Sequence, residues 1–386
     1  MSTQAKPSRH PAFARIDLDR IRENYRAIRL FAGPRAVIPV LKANAYGHGA
    51  LAVARALEPM GVPLLAVAYV DEAIALRRAG IETPLLVLTG FAPDQIEDLF
   101  AFRLTAIVST AEQVRALCAL DPDDSRGVLP VHVKADTGMS RLGFSLREIE
   151  PMVHRLEDSG VVEIEGLMTH LASADEDAVT TERQLDLFDE AIVRLSALGV
   201  RPRLIHAANS AGLSFLRESH TAVRPGLLLY GIPPRPLSPP MDVEPAMEFR
   251  ARVARVTTIP QGTGVSYGGR FVATDETRIA TLNAGYADGL PRTDGMRERG
   301  FARFGAAPLP IAGTVCMDLT MLDATNAPAL AEGDEVTLFG DAPSAWDVAG
   351  WAGTNAWQVM TAVGPRVPRR YRLGAQDVSE ALEPVE

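Results

Sequence analysis

The protein is a chain of 386 residues with 47% hydrophobic residues, a formal net charge of −9 and a pI of about 5.4. This acidic balance disfavours a nucleic-acid-binding surface, and no apolar stretch approaches the ~20 residues that a membrane helix needs. Two cysteines indicate a reducing compartment, and the polar start MSTQAKPSRHPAF lacks the apolar segment of a secretory signal, so we expect a cytoplasmic protein.

The first two-thirds of the chain alternates short apolar runs with helical patterns. Most runs are rich in Val, Ile and Leu, as buried parallel strands are. Segments such as TERQLDLFDEAIVRLSALG between them repeat apolar residues every three to four positions. Eight such units predict an N-terminal (β/α)8 TIM-type barrel, with a doubly wound open sheet as the alternative. The runs are AVIPVL (36–41), LLAVA (64–68), LLVLT (85–89), LTAIVS (104–109), LPVHVKA (129–135), VEIEGLMTH (162–170), LIHAAN (204–209) and AVRPG (222–226).

A proline-rich segment separates this region from a second one. GIPPRPLSPPMDVEP carries six prolines in fifteen residues, which excludes a regular element. Beyond it, ARVARVTTI, RIATLNAGYA, PIAGTVCMDLTML and DEVTLFG predict strands, and one helix is expected near 346–363. We therefore predict a flexible tail at 1–11, a barrel domain at 12–240 and a mainly β domain at 241–386.

Polar residues follow the apolar runs where a barrel would place its active site, at the C-terminal ends of the strands. A single strand-end Lys or His is usually a solvated side chain, but five of the eight runs share the pattern. The residues concerned are Lys42 after the first run, Lys134, Asp136 and Arg141 after the fifth, His170 after the sixth, His206, Asn209 and Ser210 after the seventh, and Arg224 in the eighth.

Lysine is rare in this chain, which has 39 lysine and arginine residues and only three lysines: Lys6, Lys42 and Lys134. Arginine keeps its proton in proteins, whereas a lysine amine can be tuned to lose it. Two internal lysines among so many arginines indicate either amine chemistry or chance.

Two segments suggest a phosphate site. HAANSAGL places Asn209 and Ser210 where a helix is expected to start, and RPGLLLYG offers Gly226 and Leu227, where backbone could approach an anion. Each signal is weak by itself. Together with a lysine at the same barrel end, they suggest a phosphorylated aldehyde, pyridoxal 5'-phosphate.

The motifs of the whole chain resemble those of bacterial alanine racemase, in that family's order. The matching segments are VLKANAYGHG, HVKADTGMSRLGF, GLMTHLASAD, HAANSAGL, VRPGLLLYG, VSYGGRF, NAGYADGLPR, GTVCMDLTML and RVPRRY. The resemblance implies a pyridoxal phosphate-binding (β/α)8 barrel, a C-terminal β domain, and a homodimer with shared active sites. It also implies racemisation of alanine to supply D-alanine for peptidoglycan.

The resemblance assigns four central roles. Lys42 matches the lysine that binds the cofactor and acts as one base. Tyr267, in VSYGG, matches the second base, which serves the partner subunit's cofactor in this family. His170 matches the histidine of the tyrosine's hydrogen-bond network. Arg224 matches the residue that faces the pyridine nitrogen, and since arginine holds its proton, that nitrogen would stay unprotonated.

Further matches concern the cofactor phosphate, the substrate and the entrance. Lys134 matches a lysine that is often carbamylated in the family, and the resulting anion would hold Arg141 in place. The remaining matches are Tyr46, Ser210, Gly226 and Leu227 as phosphate contacts, Arg141 and the backbone N–H of Met317 as substrate contacts, and Tyr286 and Asp318 at the entrance.

Trp357 departs from the family, which usually has a tyrosine there, and it keeps a serine or broader racemase open as an alternative. Leu290 also stands where an aromatic residue is common. Related decarboxylases tend to place a carboxylate where Arg224 stands, and non-catalytic cofactor-binding proteins resemble the barrel alone. The seven histidines show no ligand spacing, so no metal is expected.

Overall fold

The computed structural model describes residues 10–122, 126–235 and 240–378, which form two compact units. One unit contains Ile21–Ala45 and Val53–Val243, and the other contains the described residues up to Arg20, Tyr46–Ala52 and the segment from Glu244 onward. The predicted tail at 1–11 lies, except for its last two residues, outside the described residues. The division at residue 240 stays a prediction.

The first unit is built on eight short strands, each within one of the eight predicted apolar runs. Most of their residues are buried because the strands are covered on both faces. They are β2 (Ala36–Val37), β3 (Leu65–Val67), β4 (Leu85–Val87), β5 (Leu104–Val108), β6 (Leu129–Lys134), β7 (Val162–Met168), β8 (Leu204–His206) and β9 (Ala222–Val223). Strand β1 (Ala12–Asp17) precedes them in the sequence and belongs to the second unit.

These strands close into a ring. Strands β3 to β8 form a parallel sheet in sequence order, and β2 pairs in parallel with β9. A parallel bridge between Val40 and Ala66 joins the β2 run to β3. The backbone N–H of Thr221 donates to the carbonyl of Ile205 at 2.9 Å and so joins β9 to β8. The predicted (β/α)8 barrel is therefore confirmed.

Helices follow most of the barrel strands. Among them, α8 begins at the cap Asp177, whose carboxylate accepts from Val179 and Thr180, and it ends before Gly199 at φ 91°. The helices are α1 (Leu18–Ala32), α3 (Ala50–Leu57), α4 (Val70–Arg78), α5 (Ile96–Ala101), α6 (Ala111–Leu117), α7 (Ile149–Asp158) and α8 (Ala178–Ala197), with 3-10 turns at Glu58–Met60, Pro93–Gln95, Ala211–Phe215 and Leu227–Tyr230. The segment α2 (Lys42–Tyr46) is a single left-handed turn.

The second unit is mainly β, as predicted. Its strands, besides β1, are β10 (Met247–Ile259), β11 (Gly264–Val265), β12 (Phe271–Val272), β13 (Thr277–Leu282), β14 (Phe301–Phe304), β15 (Ala307–Pro310), β16 (Thr320–Asp323), β17 (Glu335–Phe339), β18 (Arg369–Leu373) and β19 (Gln376–Asp377). The large sheet runs in the order β15-β14-β17-β10-β1-β18-β19, with β13 paired to β10 and β16 paired to β13. Strands β11 and β12 form a separate hairpin. Between β11 and β14, this unit also contains two 3-10 turns, Tyr267–Gly269 and Tyr286–Asp288, and the helix α9 (Asp294–Arg299).

Two features of this unit differ from the sequence expectation. Strand β1 lies between β10 and β18, although its residues precede the barrel by sequence and no strand was predicted there. The single helix expected near 346–363 is two helices, α10 (Ala345–Ala352) and α11 (Ala356–Thr361). Gly353 at φ 70° ends the first, and the side chain of Asn355 caps the second by accepting from Gln358 at 3.0 Å.

Two searches of the described residues bear on function. None of their helices combines the length and apolar character required to span a bilayer. No group of three or more His, Cys, Asp or Glu side chains among them is arranged to hold a metal ion.

Acid should destabilise the barrel unit through His220. This side chain is buried against Phe188, and neither ring nitrogen has a hydrogen-bond partner among the described residues. Burial lowers the pKa of His220 from 6.5 to about 4, so the unfolded chain takes up the proton first as the pH falls. We expect this histidine to cost about 2 kcal/mol of the free energy of unfolding between pH 7.5 and 5.

Urea denaturation of the wild type and of His220→Phe at both pH values measures this term. The variant should lose about 2 kcal/mol less than the wild type on acidification. Equal losses in the two proteins would show that His220 does not contribute.

Candidate active site

The ends of the barrel strands bring most of the predicted polar residues to one rim. Lys134 ends β6, His170 follows β7, Arg224 follows β9, and Lys42 follows the β2 run. Because the strands are parallel, their C-terminal ends share this rim. Burial lowers the pKa of both lysines and of the histidine, and the charges of Arg224 and Arg141 lower each of these pKa values further. The rim therefore gathers basic groups whose cationic forms are disfavoured.

Lys42 begins a left-handed turn. The next four residues, Ala43 to Tyr46, have φ between 51° and 55°, a conformation that costs a non-glycine residue about 1–2 kcal/mol. The N–H of Ala45 donates to the carbonyl of Leu41 at 2.7 Å and closes the turn. The strand direction thus ends abruptly at Lys42, and the lysine stays at the rim.

Arg224 is 4% exposed and its guanidinium has partners on three sides. Nη1 donates to the carbonyl of His206 at 2.8 Å, and Nη2 donates to the carbonyls of Thr169 at 2.9 Å and Ala207 at 3.1 Å. Nη2 also lies 3.4 Å from Nδ1 of His170. Burial lowers the pKa of Arg224 to about 9, which still leaves it a cation at neutral pH.

A chain of buried hydrogen bonds runs from Arg224 through the barrel. Nη1 lies 2.7 Å from Nδ1 of His206, and because arginine only donates, this ring nitrogen accepts. His206 then carries its proton on Nε2, which donates to Nδ1 of His132 at 2.7 Å. His132 in turn donates from Nε2 to the carboxylate of Glu165 at 3.2 Å, and Glu165 also pairs with Arg203.

His132 and His206, the two histidines of this hydrogen-bond chain, are neutral. Burial lowers the pKa of His132 and of His206, and the Arg224 charge lowers both further. The hydrogen bond from His132 keeps the pKa of the Glu165 carboxyl low. One carboxylate and one guanidinium therefore stand at opposite ends of two neutral rings whose tautomers are determined by their partners.

Lys134 has an amine that loses its proton easily. The side chain is 3% exposed, and burial together with the charges of Arg224 and Arg141 lowers its pKa to about 8. About a tenth of the amine is then uncharged at pH 7. Its neighbour Asp136 accepts from the N–H groups of Gly138 and Ser140, both at 3.0 Å, and so shapes the exposed loop that carries Arg141.

The predicted phosphate contacts meet on neighbouring turns. The hydroxyl oxygen of Ser210 accepts from the N–H of Gly226 at 3.1 Å and from that of Leu228 at 3.2 Å. Leu227 starts the 3-10 turn between them. The side-chain oxygen of Asn209 accepts from the N–H of Gly212 at 2.8 Å, at the start of the 3-10 turn Ala211–Phe215. The Ser210 hydroxyl therefore lies against the turn that begins at Leu227, so two of the predicted phosphate contacts are neighbours.

Tyr267 lies in the second unit, on a 3-10 turn, and its side chain is 65% exposed. The guanidinium of Arg292 stands 5.8 Å from the centre of its ring and 5.7 Å from that of Tyr286, within cation–π range of both. A single arginine thus packs against the predicted second base and a predicted entrance residue.

The other predicted entrance and substrate residues are joined in the same unit. The residue after Tyr286 donates its N–H to the carbonyl of Met317 at 3.0 Å. Arg366 donates to the buried Asp288 and to Asp318, both at 2.8 Å. Tyr46, the remaining predicted phosphate contact, is buried and also belongs to this unit.

Trp357 lies on α11 and packs edge-to-face against Trp346, with ring centres 5.7 Å apart. At the position where the resemblance predicts a tyrosine, the indole therefore packs against a neighbouring tryptophan. Its N–H is a donor only, so any polar contact it makes differs from that of a hydroxyl.

Sequence reasoning missed three residues, of which two belong to the buried hydrogen-bond chain and one contacts the turn after Lys42. His132 stands two residues before Lys134, so strand alternation points both side chains into the barrel, and this signal was available. Glu165 lies in β7 two residues after the exposed Glu163, and its position gave no such signal. Glu72 was also missed: its carboxylate accepts from the N–H of Ala43, the residue after Lys42, at 2.7 Å.

Comparison with known proteins gives matches over nearly the whole chain. Residues 16–234 match the family model "Alanine racemase, N-terminal domain", and residues 246–371 match "Alanine racemase, C-terminal domain". The alanine racemase of Sorangium cellulosum is 42% identical over 379 residues, which cover 94% of this chain and 99% of that protein.

Solved structures match equally broadly. An alanine racemase of Clostridium difficile 630 superimposes with a TM-score of 0.89 at 31% identity, covering 95% of this chain and 97% of that one. The alanine racemase of Bacillus anthracis with bound L-Ala-P gives a TM-score of 0.87 at 32% identity, covering 97% and 98%.

Removing one member of the buried network should be costly. His206→Leu takes a partner from the Arg224 cation and from His132, and we expect it to lower the free energy of unfolding by about 3 kcal/mol. Arg203→Ala removes only the exposed ion pair to Glu165 and should cost under about 1 kcal/mol. Urea denaturation of both variants at pH 7.5 measures the difference, and similar losses would contradict the importance of the buried chain.

Proposed function

The chain belongs to the alanine racemase family, and we propose that it interconverts L-alanine and D-alanine with pyridoxal phosphate as its cofactor. The observation that carries this proposal is the buried Arg224 on the rim that also bears Lys42, in a chain that matches both family domains. The N-terminal match covers every rim residue.

The donor set of the barrel unit suits this cofactor. Lys42 offers an amine for the aldehyde, the hydroxyl of Ser210 beside the turn at Leu227 offers a donor for the phosphate, and Arg224 offers a donor for the ring nitrogen. When bound, pyridoxal phosphate supplies an electron sink that makes the Cα proton of an amino acid acidic.

Racemisation requires a base on each face of the substrate, because the Cα proton leaves on one side and returns on the other. Burial and the Arg141 and Arg224 charges lower the pKa of Lys42 and so favour an amine that accepts a proton. We propose Tyr267 as the opposite base, with the guanidinium of Arg292 packed against its ring. The family resemblance supports a homodimer in which each active site takes this tyrosine from the other subunit.

Arg224 would limit the reaction to proton transfer. His206 and three carbonyls hold its protons in place, so it donates to a ring nitrogen and does not protonate it. With its ring nitrogen unprotonated, the cofactor would be a weaker electron sink, which would disfavour side reactions such as transamination. A carboxylate at this position would have the opposite effect.

Lys134 is proposed to be carbamylated. Its lowered pKa leaves uncharged amine to attack carbon dioxide, which forms an N–C bond and releases a proton. The resulting carboxylate would attract Arg141, the proposed ligand of the substrate carboxylate, with the backbone N–H of Met317 beside it. Tyr286 and Asp318 are proposed to line the entrance.

In the cell, we propose that the enzyme works in the cytoplasm and supplies D-alanine for peptidoglycan. A serine-type or broader racemase is the second candidate, because Trp357 replaces the usual tyrosine and rests on Trp346. A differently shaped pocket would change which side chains are accepted.

The activity is tested by proton NMR in heavy water with added pyridoxal phosphate. L-alanine should lose its Cα proton signal while D-alanine accumulates, and L-serine should exchange at least about tenfold more slowly, a margin worth 1.4 kcal/mol. Comparable rates would favour the broader racemase. Absence of exchange with either amino acid would refute racemisation.

Two substitutions test the base assignments. Lys42→Ala should abolish exchange and weaken cofactor retention in gel filtration. Tyr267→Phe should retain the cofactor yet lose exchange from one enantiomer by at least about 100-fold, the typical contribution of a general base. A Tyr267→Phe enzyme that racemises at the wild-type rate would exclude tyrosine as a base.

A further inference from the structure

Glu72 joins the turn that carries Lys42 to the start of α4. Its Oε1 accepts from the N–H of Ala43 at 2.7 Å. Its Oε2 accepts from the N–H of Ala68 at 2.7 Å and from that of Tyr69 at 3.3 Å. One carboxylate thus bridges the segments that follow two adjacent barrel strands, β2 and β3.

We propose that Glu72 is a positioning residue for Lys42, whose carboxylate holds the left-handed turn in place and supplies a negative charge next to the amine. This inference rests on the proposed role of Lys42 as cofactor ligand and base.

The strain of the turn is the first argument. Four successive non-glycine residues in the left-handed region persist only if the surroundings stabilise them. The N–H of Ala43 is the first donor of this turn, and a charged acceptor binds it more strongly than a neutral one. Without Glu72, the turn that orients Lys42 would lose this anchor at its first residue.

The charge balance around Lys42 is the second argument. Arg141 and Arg224 lower the pKa of its amine, while Glu72 raises it. Lys134 adds another nearby cation. Glu72 therefore opposes the cations that surround the amine and keeps its basicity from falling further.

A simple helix-capping role is the competing explanation. Glu72 is the third residue of α4, and such a residue often accepts from the N-cap backbone. Gln113 has that same place in α6, where its Oε1 accepts from Ser109 at 2.8 Å and from Thr110 at 3.2 Å. Gln113 has no part in the Lys42 turn, so Gln113→Met is a matched control for cap loss.

The rarity of lysine makes the test direct, since the full chain contains only three. After removal of bound aldehyde with hydroxylamine, reductive methylation with ¹³C-formaldehyde labels these lysines and the N-terminus. A Lys42→Arg sample assigns the Lys42 signal, and a ¹³C NMR titration gives its pKa. In Glu72→Gln, which keeps the shape but not the charge, the Lys42 pKa should fall by at least about 0.5, with Lys6 unchanged.

Hydrogen exchange measured by mass spectrometry tests the anchor independently. The peptide covering residues 41–46 should exchange about tenfold faster in Glu72→Gln than in the wild type. Gln113→Met should change neither this exchange nor the Lys42 pKa. An unchanged pKa and unchanged exchange in Glu72→Gln, or equal changes in Gln113→Met, would overturn the proposal.

Activity completes the test. With L-alanine, Glu72→Gln should reduce kcat by about tenfold and change KM by less than about twofold, because the base is misplaced while substrate contacts remain. A wild type without racemase activity would refute the proposed function. The NMR and exchange results need no cofactor and would still decide on Glu72.

Discussion

The burial of one guanidinium, Arg224, governs the interior of the barrel. A guanidinium removed from water requires acceptors, and its two terminal nitrogens find them in three carbonyls and the ring of His206. That single donation determines the tautomer of His206, then that of His132, and finally the need for a carboxylate at Glu165. These four residues therefore form one chain in which each member makes a hydrogen bond with the next.

The same cation determines the chemistry of the rim. A positive charge at neutral pH lowers the pKa of nearby basic groups, and the Arg224 charge adds to burial in lowering the pKa values of both rim lysines and His170. His170 becomes neutral, with a pKa of about 3, and Lys134 titrates near 8. The chain's use of arginine for nearly all its other cations fits this division, because only lysine can supply an uncharged amine.

The position of the amine depends on backbone strain as well as on charge. In the left-handed turn after Lys42, four successive residues have positive φ. Glu72 ties that turn to the neighbouring strand end, and Ser210 ties its own loop to the turn at Gly226 in a similar way. Side chains that bind backbone N–H groups thus hold two functional segments of the barrel in place.

The sequence by itself determined the architecture and the rim residues. Eight apolar runs predict eight strands, and parallel strands must present their C-terminal residues together, so Lys42, Lys134, His170 and Arg224 could be grouped in advance. Only the tertiary structure showed that β1 joins the second unit's sheet, that Gly353 divides the last helical segment, and that Glu165 and Glu72 form hydrogen bonds with His132 and with the turn after Lys42. Strand pairing and side-chain hydrogen bonds join residues far apart in the chain, and local sequence patterns carry no information about such partners.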